Sequence, residues 1–106
     1  MIKEIIAAAG IKARRNRFPT PPDGTYAVWM DDVETDGADG QPPAIFRHDV
    51  TIEVYEPKPD DVAEAKLEAA MNACGRQWTK QYRYWLESEK LYQVVYDFTY
   101  VEKRRA

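Results

Sequence analysis

Cysteine occurs once in this chain, at Cys74, so no internal disulfide can form and the composition suits a reducing compartment. No apolar run approaches the roughly 20 residues that span a bilayer. The opening MIKEIIAAAG is short and carries Glu4, so it does not read as a secretory leader, and the chain is expected to stay in a cytoplasm. Glycine occurs five times, scattered among turns and helix ends, which excludes a glycine-rich loop cradling a phosphate. Histidine occurs once, as His48, with no Gly-flanked serine and no cysteine at a known catalytic spacing. A net charge of -3 gives no global attraction for nucleic acid.

What is present suits a folded domain. At 106 residues the chain is long enough for one core, and 44% hydrophobic, 12% aromatic and 31% charged residues describe a single globular unit over 1–106. Charge is unevenly placed: KARRNR at 12–17 and Lys103, Arg104 and Arg105 are basic, while acids gather at 31–39 and 56–68.

Ile2, Ile5, Ile6 and Ala9 share one helical stripe that Gly10 can close, predicting a helix over 2–9. FPTPPDG excludes helix and sets a turn at Asp23-Gly24. TYAVWMDD reads as a strand running into the acidic DDVETDGADG, whose Asp and Gly residues suit a solvated hairpin tip. In IFRHDVTIEVYE, Phe46, His48, Val50, Ile52 and Val54 alternate with polar residues, so one face is buried and one wet. After Pro57 and Pro59, a helix over 60–74 carries Ala63, Leu67, Ala70, Met71 and Cys74 on its apolar stripe, with Gly75 ending it. QWTKQYRYWLES and EKLYQVVYDFTYVEK read as two strands with a turn near Glu87 to Lys90, and Tyr92, Val94, Tyr96, Phe98 and Tyr100 form the inner face of the second. The expected architecture is α+β, a four-stranded, mainly antiparallel sheet with helices on one face, in the order α-β-β-α-β-β.

Three chemistries have partial signatures in the chain, and each has a plainer explanation. Asp32, Glu34, Asp36 and Gly37 begin a calcium-loop pattern, but its twelfth position is Pro43 and its ninth Gly40, and strands flank it. Pro22-Asp23 with Glu56-Pro57-Lys58 imitates a PD…ExK nuclease, yet Pro57 breaks the strand that such a site needs. A sheet of exposed aromatics beside KARRNR would suit single-stranded nucleic acid, but those aromatics also form the face best suited to the core. His48 reads as a hydrogen-bonded core residue and Cys74 as a small apolar one. Trp29 and Trp85 fall out of phase with Tyr26 and Val28 and with Tyr82 and Tyr84, which puts one or both on the outer face and makes them interface candidates.

Taken together, the short opening helix ending in Gly10-Ile11, RFPTPPDGTYAVW, the acidic DDVETDGADG between strands, RHDVTIEVYE, the 60–74 helix and the closing YWLESEKLYQVVYDFTYVEK resemble the tail-terminator, or tail-completion, proteins of long-tailed (siphovirus-like) bacteriophages and prophages. The resemblance covers essentially the whole chain. It implies a non-enzymatic subunit with no catalytic residues, metal or cofactor, made in a bacterial host's cytoplasm and carried in the virion tail or neck. It further implies a hexameric ring on the head-proximal end of the tail tube, with the tube protein, the head connector and further copies of the chain as partners and neither membrane nor specific nucleic acid among them. A ring of one interface type uses a head-to-tail contact closed by rotation. Within that frame, Asp31, Asp32, Glu34, Asp36 and Asp39 are expected to face the channel or tube and repel DNA. Trp29 and Trp85 are expected between subunits, and Lys12, Arg14, Arg15 and Arg17 to dock acidic surfaces. A nucleic-acid-binding domain and a divalent-dependent nuclease stand as the alternatives.

Overall fold

A computed structural model describes residues 1–36 and 44–104. Helix α1 (Ile2–Ala8) is followed by strands β1 (Lys12–Arg15), β2 (Tyr26–Asp36) and β3 (Ile45–Glu56), helix α2 (Asp61–Ala73), and strands β4 (Trp78–Lys80), β5 (Tyr84–Leu86) and β6 (Leu91–Lys103). The architecture is α+β, with six strands where the patterning predicts four. The sheet runs β1-β2-β3-β6-β4, and β5 also pairs with β6. All neighbours are antiparallel except β1 and β2, which are parallel.

The inner face forms as the alternation of β3 and β6 requires. Val50, Ile52 and Val54 stand beside Val94, Tyr96 and Phe98, and α1 and α2 cover them with Ile2, Ile5, Ile6, Leu67 and Met71. Gly10 adopts φ 72°, a left-handed turn that returns the chain to the sheet, where Ile11 is buried. At α2, Asp60 caps the first turn by accepting from the Ala63 N–H. The helix stripe differs from expectation at its last member, because Cys74 lies past the final helical turn and is exposed.

Three further differences have identifiable causes. β1 falls inside the basic run, where Ala13 is the one hydrophobic residue and packs against the core, so no apolar alternation marks it. Asn16, at φ 68°, then turns the chain away from β2. β2 continues through the acidic segment to Asp36 in register with β3, from Asp31 opposite Val50 to Asp36 opposite Ile45. Asp31, Asp32, Glu34 and Asp36 therefore belong to a strand rather than a hairpin tip, because β3 supplies a backbone ladder and cations for them, with Arg47 2.6 Å from Asp36. Asp39 lies outside the described residues.

The third difference concerns phase and continuity. Trp29 is opposite Ile52, so the odd positions of β2 face the core, and Trp29 is buried there rather than exposed. The single strand expected over 77–88 is broken into β4 and β5. Between the pair Lys80–Tyr96 and the pair Tyr84–Gln93, four steps on one side meet three on β6, which makes a β-bulge. The Gln81 N–H still reaches the Val95 carbonyl, in register with β4, and so Tyr82 is the extra residue.

Candidate functional site

Two buried polar clusters sit under the inner face, and one charged surface covers the other. In the first cluster, His48 occupies a core position of β3 between β2 and β6. Its Nδ1 lies 2.9 Å from Asp31 and its Nε2 3.0 Å from Glu102, while Tyr100 stacks on the ring at 4.2 Å between centroids. Burial alone would lower the imidazole pKa, but hydrogen bonds to the two carboxylates outweigh it and hold the pKa above its ordinary 6.5. One positive ring held by two acids joins the three longest strands. It is the hydrogen-bonded core histidine that the alternation implies, and Asp31 is committed to it.

The second cluster joins β3, α2 and the segment between β4 and β5. Glu56 and Glu64 are both buried, and Arg83 reaches them through its Nε (3.3 Å to Glu56) and Nη2 (2.7 Å to Glu64). Lys80 also pairs with Glu64 at 2.8 Å and with Glu68 at 2.7 Å, and the Tyr96 hydroxyl donates to Glu68. Burial, then the adjacent Glu64, pushes the Glu56 carboxyl up to about 7. Burial disfavours ionised Glu64 as well, but hydrogen bonds from Glu56, Lys80 and Arg83 overcome it and keep that acid well below the usual carboxylate range. Glu56 Oε2 has no partner among the described atoms; a proton on it, shared with Glu64, supplies one. Both acids carried a signal in the sequence: Glu56 continues the buried even phase of β3, and Glu64 lies one helical turn before Leu67. In the nuclease pattern Glu56 was to hold a cation, but the fold seals it beneath α2 against Arg83.

Among the described residues, both helices cover the inner face and none covers the outer face of the sheet. At one end Phe18, Tyr26 and Tyr55 pack together. Beyond them, Glu53, Asp97 and Asp49 lead to Asp32, Glu34 and Asp36, which project from alternate positions of β2. Asp32, Glu34, Arg47, Asp49, Thr99 and Val101 line a groove there. Lys12, Arg14, Arg15 and Arg17 are exposed along the β1 edge, with Arg14 over Phe18 and Arg15 over Trp29. Trp85 is exposed at the opposite edge, tilted against Tyr92, and its Nε1–H donates to Glu87. The two tryptophans thus separate, Trp29 to the core and Trp85 to the surface.

No protein-family model matches the chain, and no curated protein does. Among solved structures, the fold is similar to a chain in the virion of a native gene transfer agent (GTA) particle, with a TM-score of 0.58 and 19% sequence identity over 90% of this chain and 81% of that one. At this identity the likeness is one of fold.

Proposed function

We propose that this chain is a structural, non-enzymatic protein of a phage-like particle, and that it caps the head-proximal end of the tail tube as a hexameric ring that helps join tail to head. The observation carrying the reading is the fold likeness to a chain of a gene transfer agent virion, which spans nearly the whole chain instead of one motif. The shape agrees with a subunit built for contact. A radius of gyration of 15.6 Å exceeds the ~13 Å expected of a compact chain of about this length, and the long strands run past the last core residues Val50 and Phe98.

In this reading Asp32, Glu34 and Asp36, with Asp49, line the channel or face the tube, and Asp31 drops out of that set because His48 holds it. Carboxylates along the path of DNA repel phosphate, so the genome passes without adhering. The same face disfavours the nucleic-acid-binding alternative, since its charge has the sign of the phosphates it would have to hold. The test is particle assembly in a producing host whose copy of this chain is deleted. The expected result is unjoined heads and tails of uneven length by electron microscopy, restored by the intact chain. Normal, joined particles in the deletion host would overturn the reading.

A further inference from the structure

The two free edges of the sheet differ in chemistry and lie at the same level. Lys12 stands opposite Tyr26, Tyr26 opposite Tyr55, Tyr55 opposite Gln93, and Gln93 opposite Tyr84. Three residues along, Arg15, Trp29, Ile52, Tyr96 and Lys80 form a second row across the sheet. At one end of these rows is a strand of four residues, three of them cationic, continued by Arg17. At the other end is the bulge, where Tyr82 is 86% exposed, Tyr84 53% and Trp85 45%.

Tyr82 is almost fully exposed and takes no part in the core among the described residues. The register of β4 runs through Gln81 and that of β5 resumes by Tyr84, so the tyrosine is an insertion that presents an aromatic ring to solvent. Next to it Lys80 and Arg83 are paired with Glu64 and Glu68, and Arg83 also reaches Asp61, whose carboxylate stays 89% exposed and open to a second cation. Guanidinium groups bind both aromatic faces and carboxylates. We propose that the β1 edge of one copy, through Arg14 and Arg17, docks on the Tyr82–Trp85 edge of a second copy beside Asp61. Because the two surfaces are unlike and sit on opposite edges, the contact is head-to-tail and repeats from copy to copy. This rests on the ring reading above and names the surfaces that would close it.

The experiment uses the full chain. Light scattering of the wild type over a wide concentration range is expected to show association that weakens as salt rises. Arg14→Glu with Arg17→Glu, and separately Tyr82→Ala with Asp61→Asn, should each weaken it at least tenfold without lowering the melting temperature appreciably, since all four side chains are exposed. In a Cys74→Ser background, oxidising an equal mixture of Arg14→Cys and Tyr82→Cys chains should yield mainly the mixed dimer, and the chain with both cysteines a ladder of multimers. Like-with-like dimers in equal yield would overturn the proposal, as would association indifferent to both edge variants. A wild type that stays monomeric throughout would also overturn it, while the particle-assembly experiment would still decide the virion reading independently.

Discussion

At the scale of single residues, the two buried clusters and the two tryptophans make separable claims. Trp29 fills the core beside Ile52, so Trp29→Ala should cost about 3–5 kcal/mol in a urea titration. Trp85→Ala, at a half-exposed edge, should stay within about 1 kcal/mol. Equal losses would contradict the observed strand phase. For the carboxylates, Glu64→Gln should lower stability at pH 7 by about 1.5–3 kcal/mol, because it removes the ionised partner of both Arg83 and Lys80. Glu56→Gln should cost less, since Glu56 holds a proton up to about neutral pH and glutamine keeps its shape. A reversed order in the denaturation midpoints would show that the proton sits on Glu64. The observed phase of Trp29 is the reverse of the expected one because Tyr26 and Val28 are also apolar, and the sequence offers no means of telling which of two apolar faces a helix covers. On the outer face Tyr26 is instead covered locally, by Phe18.

At the scale of elements, the bulge is the feature most open to test. Deleting Tyr82 should join β4 and β5 into one regular strand, leaving Gln81 and Arg83 in their present partnerships, with a change in stability below about 1 kcal/mol. If instead the deletion unfolds the chain, Tyr82 is structural. A sequence pattern shows elements that bury a face and misses those held by partners alone. α1, α2, β3 and β6 were legible with bounds within a residue or two, because their apolar spacing is regular. β1 brings a single hydrophobic side chain to the core, Ala13, and the far half of β2 has only Val33 among its acids, so both depend on ladders supplied from elsewhere. The candidate site was legible to the same degree. The histidine's burial followed from its strand phase, but its acid partners come from residues 17 and 54 positions away. The salt-bridge cluster likewise needs the fold to bring Arg83 to α2.

At the scale of the whole molecule, the clusters set a common direction for pH. Glu56 has a folded pKa raised from 4.5 to about 7, so the folded chain binds more protons in that window and stability falls as pH rises through it. His48, also raised, contributes stability that is complete below 6.5 and is lost as pH climbs through its folded value. Glu64 acts oppositely, but only below about 4.5. Thermal melts should therefore be highest near pH 5 and decline towards pH 8, and His48→Gln should flatten the upper part of that slope. A melting temperature rising from pH 5 to 8 would refute the assignment of both groups. The sheet order has a separate consequence, one of timing. β3 lies at the centre of the sheet between β2 and β6, and β6 is the last of the eight elements in chain order. During synthesis at about 5–20 residues per second, β3 and the apolar stripe of α2 wait several seconds with one flank open, until Leu91–Lys103 leave the ribosome. Over that interval the nascent chain presents a hydrophobic strand with one edge unpaired, the kind of surface chaperones engage, and the acids opposite it on β2 give the β2–β3 hairpin the charge that keeps it from pairing with its neighbours on the same message.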